Sequence, residues 1–271
     1  MEMNQNACRL VRTGGLGKIK LVQGVDYPSV SPVPSHYEEQ PAPEKLNWDV
    51  WLGQTRLRGY NQQIHRGWMG WSDFSGGEMT NWGAHGIDQI QWALGMDGTG
   101  PVELWPMEEP SAGPYGNWPG GGISGAIGLK YANGVPVHLC LPTPTDLMGG
   151  ARFIGEKGQI DLWRNNFKID APGVKLDLPA QEEIDKWHDS RALWQAQYHM
   201  KFWLDCIPTR ERPNADVEIG HRSVSVCHLA NIARKLQRKL RWDPETEQFI
   251  GDREANYLVD PPRRKGYELP V

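Results

Sequence analysis

The chain has 271 residues, with Lys+Arg 29 against Asp+Glu 33 and a formal net charge of −4 at pH 7. That length can bury a substantial core within one large domain. The balanced charge argues against nucleic acid as a partner, and no run approaches the roughly 20 apolar residues of a membrane helix. Cys8, Cys140, Cys206 and Cys227 are widely separated and form no CxxC or Cys/His zinc spacing; they read as reduced thiols. The N-terminus lacks the basic, apolar and small-residue succession of a secretion signal, so the expectation is a cytoplasmic protein.

Residues 2–12 predict a short helix with Ala7, Leu10 and Val11 on one side, closed by Gly14-Gly15. The Gly-rich run at 14–18 resembles a phosphate loop only superficially. Such a loop follows a strand and opens a helix, whereas this one follows a helix and opens the strand Ile19–Tyr27. Five prolines between Pro28 and Pro43 mark a long loop over 28–46. Asn47–Gly53 forms a helical turn, and Tyr60–Trp71 reads as an aromatic and cationic loop carrying Tyr60, Asn61, His65, Arg66 and Trp68.

Ser75–Leu94 is the stretch the rest serves. At about 100° per residue, Asn81, His85, Asp88 and Trp92 share one stripe of a helix and Gly83, Ile87, Ile90 and Leu94 the opposite one. An amide, an imidazole and a carboxylate at i, i+4 and i+7 can meet a common ligand. Thr80 or Asn81 suits the N-cap, and Gly76 and Gly77 leave room for close approach by another backbone or a substrate. His85, Asn81 and Asp88 are therefore candidate catalytic residues, and Arg66, His65, Tyr60, Trp68 and Trp82 candidate substrate contacts. A buried histidine held by Asp88 is the plainer alternative. If Ile87, Ile90 and Leu94 pack on a sheet, His85 faces the open side, shares a pocket with Asn81, Arg66 and tryptophan, and titrates near the ordinary value of about 6.5. Thirteen tryptophans mostly serve packing, although such rings also stack on the apolar faces of sugars.

Farther along, Pro101–Met107 predicts a strand and 108–122 a second long loop. Gly122–Tyr131 and Val135–Leu141 predict a hairpin whose Asn133-Gly134 suits a type I′ turn. Ala151–Gly155, Gln159–Trp163 and Asn166–Ile169 continue as strands joined by tight turns, which implies antiparallel pairing. Helices are predicted over Ser190–Ile207 and, after the cap Asp216, over Val217–Leu240. His221 and His228 on the second of these read as packing or capping groups. Residues 242–271 predict an extended strap. The fold class is α+β, with a single domain over 1–271.

The sequence resembles the C-terminal domain of the Gfo/Idh/MocA oxidoreductases, bacterial type. The resemblance rests on Leu10–Ile19, Asn47–Gly53, Gly76-Gly77 through Trp92, Phe153–Gly158, Arg212–Asp216 and Leu240–Pro244, in the family's order along nearly the whole chain. It implies an open-faced, mainly antiparallel sheet with helices on one face, the other face serving a homo-oligomer. It also implies a preceding Rossmann domain that binds NAD(P) and a Glu-Lys-Pro motif with a catalytic lysine. Neither occurs in the 271 residues, and no strand–Gly-x-Gly-x-x-Gly–helix unit does. NAD(P) is thus expected only alongside a nucleotide-binding domain, with no cofactor or metal held by this chain alone.

In related dehydrogenases an Asp and a His at i, i+4 join the lysine in proton transfer. His85 stands on the histidine position, but Asn81 stands on that of the Asp, and an amide cannot take a proton at neutral pH. The resemblance implies the substrate domain of a sugar or polyol oxidoreductase, inactive in redox chemistry alone. A non-catalytic carbohydrate-binding or oligomerisation protein stands beside it. So does a cofactor-independent or metal-dependent sugar lyase or isomerase, the metal drawing on His85, Asp88 and Glu78 or His65.

Overall fold

The computed structural model describes residues 2–113, 122–143, 145–164, 166–176, 178, 180–182, 185 and 194–269. The 114–121 part of the second long loop and the 190–193 start of the predicted helix lie outside them.

Helix α1 (Glu2–Arg12) stops where the glycines allow it. Gly14 adopts φ +80°, and the Gly15 and Gly14 N–H groups donate to the carbonyls of Leu10 (2.8 Å) and Val11 (3.1 Å), which closes the helix and turns the chain into a strand. The strands are β1 (Ile19–Val25), β2 (Pro101–Pro106), β3 (Ser111–Ala112), β4 (Ile123–Ser124), β5 (Ile127–Tyr131), β6 (Pro136–Leu141), β7 (Ala151–Gly155), β8 (Gly158–Trp163), β9 (Asn166–Asp170), β10 (Leu240–Asp243) and β11 (Gln248–Phe249). Nine of them form one sheet in the order β11-β10-β2-β5-β6-β1-β7-β8-β9, and β3 pairs with β4 apart from it. Every described pairing in the large sheet is antiparallel except β1 with β6, which is parallel, because β1 enters from α1 and takes the middle of a sheet otherwise built from hairpins.

The remaining helices are α2 (Trp48–Leu52), α3 (Gln62–Arg66), α4 (Trp82–Leu94), α5 (Trp194–Thr209), α6 (Val217–Leu236) and α7 (Arg253–Val259). Ala7 and Val11 of α1, Ile87 and Ile90 of α4, and Val226, Ala230 and Ala233 of α6 are buried in one cluster with Val22, Leu129, Tyr131, Phe153 and Ile160 of the sheet. Each large side chain buried there contributes about 1.5–3 kcal/mol. This is the α+β arrangement with helices on one face.

Several local expectations are corrected. The strand expected over Gly122–Tyr131 is split into β4 and β5, since Gly125 takes φ +155° and directs its N–H to the Asp26 carboxylate. The β5–β6 hairpin forms, but not through a type I′ turn. Only Gly134 has positive φ (+84°), and its N–H donates to the Tyr131 carbonyl at 2.9 Å, the pattern of a type I turn followed by a left-handed glycine. Helix α6 ends at Leu236, where Gln237 turns left-handed (φ +49°), which frees Leu240 to begin β10. The segment after Trp242 is not a plain strap. It contains the end of β10, then β11 and α7, and only then docks: Arg264 donates to the Gly53 carbonyl (2.6 Å) and to the carbonyl (2.8 Å) and carboxylate (2.6 Å) of Asp49.

The uncovered face of the sheet is mixed rather than broadly apolar. Register partners across it read Trp105, Gly128, His138, Gln23, Arg152, Asp161 and Lys168. Arg152 and Asp161 pair in two hydrogen bonds of 2.7 and 2.8 Å, and Trp105 lies across Gly128 with its ring edge-on to His138.

Candidate functional site

The chain reaches α4 through two glycines with distinct duties. Gly77 adopts φ +74°, and a Cβ there would sit 2.5 Å from the Ser29 carbonyl oxygen. The close approach is therefore made by the protein's own backbone rather than by a ligand. The Met79 N–H donates to the Pro28 carbonyl at 3.0 Å, and the Asn231 side chain on α6 donates to the Gly76 carbonyl at 2.8 Å. A buried ion pair supports this corner: Arg234 donates to Asp26 at 2.6 Å, to the Gly125 carbonyl at 3.0 Å and to Asn231 at 3.1 Å. Burial still holds the Asp26 carboxyl above its usual value and the Arg234 guanidinium below its own, so desolvation outweighs their mutual attraction.

Asn81 occupies the N-cap of α4, but its side chain does not cap. It donates through Nδ2 to Glu78 Oε2 at 3.1 Å, leaving Oδ1 as an acceptor toward solvent. His85, one turn on, is exposed. Its ring lies 5.8 Å from that of Trp82, and both stand against Gly149, where a Cβ would come within 3.3 Å of the indole and 3.4 Å of the His85 Cβ. Gly149 is held from below, its carbonyl accepting from Gln89 at 2.6 Å and its N–H donating to the Tyr27 hydroxyl at 2.7 Å. Partial desolvation first, then the nearby charge of Arg164, hold His85 below the ordinary imidazole value, with Asp88 pulling weakly the other way. The expectation that it titrates at the ordinary value is corrected accordingly.

Asp88 does not join His85. It faces α6, where the Ser223 hydroxyl donates to it at 2.8 Å, and a buried chain continues from Ser223 through Gln91 to the Tyr131 hydroxyl. Burial holds its carboxyl above the usual range. The stripe read as one chemical face is thus divided, with Asn81 and His85 outward and Asp88 inward as an anchor of the helix.

The other predicted contacts divide in the same way. Tyr60 and His65 belong to an aromatic cluster with Trp48, Trp51 and Phe74: Trp48 and Trp51 stack at 4.5 Å, both present edges to His65, and Tyr60 is buried. The region read as a loop contains α3, capped by Asn61, whose Oδ1 accepts from the Gln63 and Ile64 N–H groups. Arg66 and Trp68 are exposed at the end of α3 and on the following 3₁₀ turn. Among the described residues no hydrogen bond joins Arg66 to His85. Trp82 does join it. The residue that sequence reasoning missed is Arg164, read as part of a tight turn, whose guanidinium lies 5.1 Å from the Trp82 ring centroid. No local pattern marks it, because it is brought to α4 by the β8–β9 connection.

Among the described residues no three His, Cys, Asp or Glu side chains gather to hold a metal ion. Among the described residues no strand–Gly-x-Gly-x-x-Gly–helix turn, the cradle of a dinucleotide's phosphates, is present. The glycine-rich run Gly14–Lys18 closes α1 and leads into β1 rather than opening a helix after a strand.

The family described as "Oxidoreductase family, C-terminal alpha/beta domain" matches residues 17–269. The chain belongs to the Gfo/Idh/MocA oxidoreductase family. Among solved structures it is similar to the WlbA dehydrogenase of Bordetella pertussis in complex with NADH and UDP-GlcNAcA (TM-score 0.51, 13% identity, 89% of this chain and 61% of that one). It is also similar to the aldose-aldose oxidoreductase of Caulobacter crescentus complexed with glycerol (TM-score 0.50, 16% identity, 88% of this chain and 60% of that one). These likenesses show the fold. The chain spans about three fifths of the length of these family relatives. Among curated proteins no sequence matches. No helix among the described residues is long and apolar enough to cross a membrane.

Proposed function

We propose that this Gfo/Idh/MocA domain is the substrate-binding part of an NAD(P)-dependent sugar or polyol oxidoreductase, with the nucleotide bound by another domain. The observation that carries the reading is His85, exposed on the first turns of α4 between an indole and a glycine backbone in a chain whose family matches over 17–269. An imidazole held below its ordinary pKa is neutral at pH 7 and can accept a hydroxyl proton. Trp82 gives the site an apolar wall, and the Asn81 Oδ1 can accept from a second hydroxyl without taking its proton. The ligands named for the two relatives, a nucleotide sugar and glycerol, are of this class. Self-association through the open face of the sheet belongs to the same proposal.

The test joins the chain to a nucleotide-binding domain of the family and follows cofactor reduction over a panel of sugars and polyols. His85→Ala should abolish turnover while leaving the denaturation midpoint nearly unchanged. Full turnover in His85→Ala would overturn the proposal.

A further inference from the structure

We infer that Arg164 and Trp82 form a subsite for a carboxylate beside His85, so that the ligand class preferred there is an acidic sugar, a uronate or aldonate, over a neutral one. The inference rests on the proposed function above and names its substrate class.

Arg152 is paired with Asp161, Arg58 with Asp73, Arg234 with Asp26 and Arg238 with Asp252. Arg164 makes no ion pair among the described residues. It projects, exposed, from the turn after β8, and its one described contact is the face of Trp82 at 5.1 Å. A guanidinium resting on an indole is weakly hydrated and positioned, and its N–H edge remains available to a planar acceptor, the geometry that suits a carboxylate in two parallel hydrogen bonds. The nearest competitor on α4, Asp88, is turned inward and occupied by Ser223. Asn81 is neutral, so its side chain does not repel an anion; the nearby Glu78 carboxylate accepts from Asn81. The field of Arg164 already reaches His85, and a bound carboxylate would offset it. Binding and imidazole titration are therefore coupled, the anion raising the pKa of His85.

The experiment uses the chain as it is. The His85 imidazole C2–H resonance is followed against pH alone, with D-glucuronate and with D-glucose, in the parent protein and in Arg164→Gln and Arg164→Lys. Glucuronate should bind saturably and raise the His85 midpoint, glucose should bind about tenfold more weakly, and Arg164→Gln should remove that difference. Arg164→Lys should restore part of it, since a point charge remains without the bidentate edge. Arg164→Gln without ligand should itself raise the His85 midpoint. Equal binding of the two sugars would overturn the carboxylate subsite while leaving a sugar-binding His85 intact. Failure of glucuronate to perturb His85 would overturn the subsite as well, and the domain-joined assay would then decide separately whether a neutral polyol is oxidised.

Discussion

Three residues decide how α4 is placed and what it presents. His85 is exposed, so its removal should cost within about 0.5 kcal/mol of stability, far from the 2–5 kcal/mol of a core truncation. A urea denaturation series on His85→Ala checks this, and a loss of several kcal/mol would restore the plainer reading of a packed histidine. Asp88 has a folded-state pKa above its unfolded value of about 3.9. The folded state then binds the proton more tightly, so ionised Asp88 costs nothing below about pH 3.9, and a cost grows as pH rises through the folded value. Asp88→Asn keeps an acceptor for Ser223 and removes that cost. It should equal or exceed the parent in stability at pH 7, with the advantage fading toward pH 4; a variant clearly weaker at pH 7 would show that the carboxylate is needed as a charge. Gly77 is a third case. Gly77→Ala places a Cβ against the Ser29 carbonyl at positive φ and should lose more than about 1 kcal/mol, displacing the start of α4.

At the scale of elements, α6 locks the approach to α4 through Asn231, Ser223 and the buried Arg234. Arg234→Met strands Asp26 in a desolvated corner and should cost about 3–5 kcal/mol, whereas adding Asp26→Leu should recover most of that loss. Thermal melts of the single and double variants measure both. The ends of the elements show how far sequence reading reaches. Strands joined by tight turns between Ala151 and Asp170, and α1 with its Gly14-Gly15 stop, were legible because periodicity and turn chemistry act locally. The break at Gly125 and the early end of α6 were not, since an Asp26 carboxylate and a partner strand from elsewhere in the chain decide them. Helical spacing put Asn81, His85 and Asp88 on one stripe; Asn81 and His85 are exposed, but Asp88 faces α6, because spacing along one helix says nothing of the second helix that claims one side of it. Arg164 was invisible for the same reason: its partner Trp82 lies 82 positions away.

For the whole molecule, the sheet supplies two unlike faces. One carries the core and α4; the other is a mixed row in which Arg152–Asp161 and Trp105–His138 alternate with Lys168 and Gln23. Through such a face the self-association proposed above would be polar and therefore weakened by salt, which sedimentation at low and high ionic strength would detect; a monomer in both would remove it. The Trp48, Trp51, Tyr60 and His65 cluster is a second aromatic unit, tied down by Arg264, and is a rival as a sugar site. The proposed ligand sits at His85 and Trp82. Side-chain NMR of the full chain with a panel of neutral and acidic sugars tests it most directly: saturable shifts of the Trp82 indole and the His85 imidazole with at least one of them are expected, with Trp48 and Trp51 unmoved, whereas shifts confined to Trp48 and Trp51, or none at His85 with any sugar, would contradict it.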